Sequence, residues 1–236
     1  MVLCLVAGQV VTQSREVPSS NRGSDLASSM HEIGRATPSC LRRISRADLP
    51  SDTTALARFL IGRYVVRILE EVLLAGRIVE TEAYGVDDAA SHAYRGMTAR
   101  NRSMFLAPGH AYVYFIYGTS YMLNVSSEPA GIGAGVLLRA LEPARGIDRM
   151  TALRGGVRLS DVARGPGRLA ASMHIDRSLD GQDLCADGPL WLAENSDPYP
   201  PIAVSVRIGI SREAHRPLRF YVPGSPFVSG PSRLRS

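Results

Sequence analysis

Between residues 64 and 143, five segments with strand character follow one another, and three of the four links between them are very short. YVVRIL (64–69) and VLLAGRIVETEAY (72–84) are separated only by Glu70-Glu71. HAYVYFIY (110–117) and YMLNVSS (121–127) are separated by Gly118-Thr119-Ser120, and a Gly-rich turn leads into AGVLLRALEP (134–143). Runs of β-branched and aromatic residues broken by such turns predict hairpins. Parallel neighbours need a crossover of about a dozen residues or more, so this stretch is held to an antiparallel sheet. Residues 190–193, 202–210 and 218–222 read as closing strands. Helices are expected in TTALARFLIG, with Asp52 as cap and Gly62 as stop, in ARGIDRMTALR (144–154), and in PGRLAASMHI (166–175), where Pro166 suits the first turn. The pattern predicts a single mixed α+β domain, with an antiparallel sheet and peripheral helices. No internal repeat is evident.

Residues 1–45 differ from the rest. SREVPSSNRGSDLASSM has no apolar period and reads as a disordered extension, leaving residues 46–236 as the domain. The apolar start MVLCLVAGQVV lacks a positive n-region, so a cytoplasmic protein is expected. No run of ~18 apolar residues suggests a membrane span. Cys4, Cys40 and Cys185 are scattered without a CxxC pair, which argues against a zinc ribbon or a disulfide scaffold. All 27 basic residues are arginine, and the formal net charge is +5. Without lysine, no side chain can form a Schiff base. A basic chain suits a polyanion partner such as nucleic acid, but many ordinary proteins are this basic, and base composition accounts for arginine in place of lysine.

Four groups of residues carry candidate chemistry. Glu80, Glu82 and Tyr84 alternate along one strand and so share a face. On a solvent face they mean nothing; beside a cleft, one carboxylate can serve as a general base next to a stacking platform. His92 follows on the next loop, eight residues after Tyr84. Tyr112, Tyr114, Tyr117 and Tyr121 crowd one hairpin. Cross-strand packing explains some of them, but an aromatic at the tip, Tyr117, fits a wedge between base steps better. Asn124 on the return strand places an amide in the same region. Arg139 sits in an apolar strand, where a charge needs an acid or a phosphate as partner. Arg100 and Arg102 lie on a loop, either solvated or touching phosphate. Arg164 and Arg168 flank a helix start, a further candidate anion site.

GRIVETEAYG, ASHAYRG, ARNRSMF, AYVYFIYGTSYMLNVSS, VLLRALEP, RGPGRLAASMHI and RPLRFYVPGSPFVS, in this order, strongly resemble the 3-methyladenine (alkyladenine) DNA glycosylase family. The resemblance runs from about Leu56 to about Ser229. It implies a curved antiparallel sheet with a protruding hairpin, like the C-terminal domain of formyltransferases. It implies that Glu82 activates the attacking water. Tyr84, His92 and Tyr114 would hold the extruded base, and Tyr117 would fill the gap left in the duplex. Asn124 would sit at the pocket floor and oppose the amino group of normal guanine. Arg139 would position the nucleotide and its phosphate, and Met104 would approach the DNA near the lesion. The implied activity is removal of alkylated or deaminated purines from double-stranded DNA by a monomeric enzyme. No metal and no organic cofactor is implied. Two readings compete: a non-catalytic binder of damaged DNA, which has no need of Glu82, and a nucleoside hydrolase, which has no need of a wedge.

Overall fold

A computed structural model describes residues 40–116 and 118–232. Nine strands are present among them: β1 (Arg42–Arg43), β2 (Tyr64–Leu69), β3 (Val72–Tyr84), β4 (Ala111–Ile116), β5 (Ser120–Ser126), β6 (Gly135–Arg145), β7 (Leu190–Glu194), β8 (Ala203–Ser205) and β9 (Arg219–Tyr221). They form one antiparallel sheet in the order β1-β7-β2-β3-β6-β5-β4. β9 pairs with β3 at Glu80–Glu82, beyond the reach of β2, and β8 lies outside β9. The α+β fold with an antiparallel sheet is thus as expected. β1 adds something the sequence did not announce. Arg42 and Arg43, read as part of the extension, pair with Glu194 and Ala193.

The helices are α1 (Thr53–Leu60), α2 (Ile147–Leu153) and α3 (Pro166–Ser172). The Asp52 carboxylate caps α1 by accepting from the Ala55 amide at 2.6 Å, and Gly62 follows with φ +84°, a conformation glycine adopts without penalty. α2 starts later than expected, because β6 runs on to Arg145 and Gly146 makes the turn. The strand expected over 202–210 shrinks to β8, since the chain turns inward at Arg207.

One face of the sheet carries Ile78, Val113, Leu123, Val125, Val136 and Leu138, all buried in the main core with Leu56 and Leu60 of α1 and Leu169 of α3. The period of two then sends Leu137, Asn124 and Tyr112 to the opposite face, and on β3 the irregularity at Val79 turns Glu82 there as well. These four are directly opposed across β3, β6, β5 and β4, in a single row. The sheet's register alone therefore sets a carboxylate, an amide and a phenol side by side.

Candidate active site

A cavity of about 360 Å³ opens over that row, within the size range of small-molecule sites. Tyr84, His92, Tyr112 and Tyr114 form its aromatic wall, and Met122, Asn124 and Leu137 lie along the sheet. Tyr112 and Tyr114 stack at 5.2 Å, and His92 meets Tyr114 edge-on at 4.5 Å. His92 Nδ1 lies 3.0 Å from the Tyr112 hydroxyl. His92 stands at the exposed rim. Burial of its ring, with the positive charge of Arg100, holds its pKa below the ordinary histidine value. The Asn124 amide nitrogen donates to the Tyr112 carbonyl at 3.1 Å. Asn124 is buried and lines the cavity, as a pocket-floor residue should.

Glu82 is fully buried directly behind this wall. Its Oε1 accepts from the Ile208 amide at 2.7 Å. Its Oε2 accepts from the Tyr84 hydroxyl at 2.9 Å and lies 3.2 Å from Nη1 of Arg139. All three partners line the cavity. Burial, and then the negative charge of Glu82, drive the Tyr84 phenol well above its ordinary pKa, so it stays a donor. Glu82 is thus an acceptor held by one cation, one amide and one hydroxyl, a constellation able to accept a proton from water.

Arg139 lines the cavity next to Glu82. It is 7% exposed, and its guanidinium is committed to protein. Nε donates to Glu80 at 3.0 Å, Nη1 pairs with Glu82, and Nη2 donates to Ser229 Oγ at 3.2 Å. The cause is a pair of compensating irregularities. The register passes from Ile78 opposite Leu141 to Glu80 opposite Ala140, and then to Thr81 opposite Leu138. Val79 and Arg139 are each left without an opposite residue. Such bulges re-aim a side chain, and here the guanidinium turns to the two carboxylates. Arg139 thus braces Glu82 and at the same time lines the cavity. Both carboxylates outweigh burial and raise its pKa above the ordinary value.

Other expected residues fall in different places. Met104 is 3% exposed and packs with Ala93 and Tyr112; it is cavity wall, because the 3-10 turn Arg102–Phe105 directs it inward. Arg100 is exposed beside the rim, 6.0 Å from the Tyr114 ring centre, and donates to the Phe115 carbonyl at 3.3 Å. Arg102 is exposed at the start of the same turn. Arg164 and Arg168 both pair with Asp161, at 2.7 and 3.0 Å. α3 begins at Pro166, which lines the cavity. Tyr117, the expected wedge, lies outside the described residues, as does the extension through residue 39. No group of three His, Cys, Asp or Glu side chains suited to a metal occurs among the described residues. No helix among them is long and apolar enough to cross a membrane.

A family model for methylpurine-DNA glycosylases matches residues 47–226. This chain belongs to the methylpurine-DNA glycosylase family. It is a DNA glycosylase, a hydrolase of N-glycosidic bonds. A protein of Mesorhizobium japonicum, provisionally named a 3-methyladenine DNA glycosylase, is 64% identical over 192 residues, which is 81% of this chain and 92% of that protein. A protein of Paraburkholderia phytofirmans with the same provisional name is 55% identical over 189 residues, covering 80% of this chain and 89% of its own length. The DNA-3-methyladenine glycosylase of Mus musculus is 46% identical over 206 residues, covering 79% of this chain and 60% of the mouse protein.

Several site residues of this glycosylase were missed in the sequence. Tyr112, the fourth aromatic of the wall, was grouped with the hairpin tyrosines and given no role of its own. Arg207, Asp88 and Arg219 were not singled out, and neither was the Ile208 amide. A signal existed for two of them: Arg207 in VSVRIGI and Arg219 in PLRFYV are arginines within apolar runs. The argument applied to Arg139 covers both.

Proposed function

We propose that this glycosylase extrudes an alkylated or deaminated purine from duplex DNA and hydrolyses its bond to deoxyribose. The substrates are 3-methyladenine, 7-methylguanine, hypoxanthine and ethenoadenine. Base and sugar cannot be reached inside a duplex, so the nucleotide must leave the stack, at a cost of a few kcal/mol. Stacking returns about 1–3 kcal/mol per base, and Tyr84, His92 and Tyr114 supply the surfaces. Tyr117 fills the vacated stack, and Arg100, Arg102, Arg164 and Arg168 contact phosphates.

The observation that carries this reading is Glu82, buried one side chain behind an aromatic cavity and held by three cavity-lining partners. The bond from C1′ to the base breaks with its electrons leaving on the base. The sugar becomes positively charged, and a water oxygen bonds to C1′ while Glu82 takes its proton. 3-Methyladenine and 7-methylguanine depart neutral, because they enter as cations, whereas hypoxanthine and ethenoadenine depart as anions and take up a proton from water. The ionised Glu82 also stabilises the charge on the sugar.

Absence of lysine supports a monofunctional enzyme. Strand cleavage through an imine requires an amine, and the only one is the chain's N-terminus. A monomeric state belongs to the same proposal, as does a glycosylase domain over 46–236 to which β1 (Arg42–Arg43) adds an edge strand. The test is a single-turnover assay on duplexes carrying one lesion each, read with and without alkali, with a borohydride arm. The expected result is strand breakage only after alkali and no trapped protein–DNA adduct. Breakage without alkali, or a trapped adduct, overturns the monofunctional assignment. No release from any duplex, with binding retained, favours the damaged-DNA binder.

A further inference from the structure

We infer that Arg207, clamped by Asp88, is a specificity-determining residue that sets how the cavity weighs a positively charged purine against a neutral one. The inference rests on the reading of Tyr84 as a stacking surface. Arg207 and Asp88 are 119 positions apart, and both side chains are wholly buried. Arg207 Nη1 pairs with Asp88 Oδ2 and donates to the Ala83 carbonyl at 3.0 Å, while Nη2 donates to Asp88 Oδ1 at 3.1 Å. The fork thus fixes the guanidinium on both sides. Its central carbon lies 4.6 Å from the centre of the Tyr84 ring. Tyr84 lines the cavity and Arg207 does not. The cation therefore stands behind the aromatic wall, where no substrate touches it.

An aromatic ring presents negative potential on its faces, and a cation on either one is attracted to it. A cation already seated behind Tyr84 draws that density towards itself and adds its own repulsion. A methylated purine stacked on the cavity side carries a positive charge and meets both effects. Hypoxanthine is neutral and meets neither. Asp88 offsets part of the guanidinium's field, so the strength of the discrimination depends on the pair and not on Arg207 alone. The same segment places the Ile208 amide on Glu82. A purely structural role for Arg207 would slow the neutral base more than the readily leaving cation, and would shift the ratio in the same direction in Arg207→Gln and in Asp88→Asn.

That difference decides the test. Single-turnover release is measured from two duplexes of one sequence, one carrying 7-methylguanine and one hypoxanthine. The reading is the ratio of the two rates. Arg207→Gln removes the charge, keeps a polar group for Asp88, and should raise the ratio of charged to neutral base roughly two- to fivefold, the scale of one cation–π contact. Asp88→Asn unmasks the guanidinium and should lower the ratio by a similar factor. Arg207→Lys keeps the charge and should leave the ratio within about twofold of wild type. Circular dichroism checks each fold, and should Arg207→Gln not fold, the shift in Asp88→Asn decides. An unchanged ratio in every folded variant, or a ratio that rises in Asp88→Asn as it does in Arg207→Gln, overturns the inference and leaves Arg207 as a strut. Wild-type enzyme that releases neither base overturns the proposed function itself, a failure visible before any variant is compared.

Discussion

Glu80 and Glu82 are two residues apart on β3, both fully buried and both paired with Arg139, yet their surroundings differ in kind. Glu80 is enclosed by two cations and an amide. Arg139 Nε is 3.0 Å away, Arg219 Nε 2.7 Å, and the Ser229 amide 2.7 Å. Burial alone would raise its pKa, but these partners outweigh it and hold the carboxyl below the ordinary range. Glu82 shares one arginine and otherwise has a hydroxyl and an amide, each belonging to a residue of the cavity wall. One carboxylate is locked into the protein, and the other is one side chain from a ligand. Identical residues on one face of one strand acquire different work from what closes over them. Arg139 is the link, because Glu80 fixes the guanidinium that Glu82 uses.

If Glu80 is the anchor, Glu80→Gln should leave two buried arginines short of charge and cost about 3–5 kcal/mol, read as a lowered denaturant midpoint. A loss within 1 kcal/mol would break the contrast. Arg219→Met should also lower stability, while single-turnover release stays within about threefold. Arg139→Met should lower both, since it serves both carboxylates. Tyr84→Phe removes only the hydroxyl that Glu82 Oε2 accepts. A hydrogen bond to a charged group is worth about 1.5–3 kcal/mol of stability, so Tyr84→Phe should lower the melting temperature as well as slow release. The smallest effect concerns pH. His92 has a folded pKa below its ordinary value of about 6.5. The folded state then binds fewer protons than the unfolded chain, so this contribution is whole above that value and is lost as pH falls through the folded pKa. His92→Asn should flatten the stability profile just below pH ~6.5, and an unchanged profile would count against the packing described for its ring.

Much of this was legible in the sequence where the information is local. β2 and β3 coincide with the strands read from alternation and turn residues. The shared face of Glu80, Glu82 and Tyr84 follows from period two alone and survives the irregularity at Val79, which precedes all three. What was hidden depends on contacts across the chain. The partners of Arg139 are residues 80, 82 and 229, and no local rule chooses them over nearby Glu142. The expected strand over 202–210 failed because burying Arg207 against Asp88 wins over continued pairing. The loop after β3 looked featureless in composition. Its order comes from buried Asn101, whose amide donates to the His92 and Gly96 carbonyls at 2.8 and 3.1 Å. Its oxygen accepts from the Thr98 amide at 2.6 Å. His92 and Arg100 reach the rim on that brace.

The most direct test of the central claim is single-turnover release of hypoxanthine by Glu82→Gln, with duplex binding measured on the same preparation. A proton acceptor is worth about 10²–10⁴-fold, so release should fall at least ~100-fold while duplex binding stays near wild type. A Glu82→Gln enzyme that releases hypoxanthine at close to the wild-type rate would contradict the division of labour between the two glutamates.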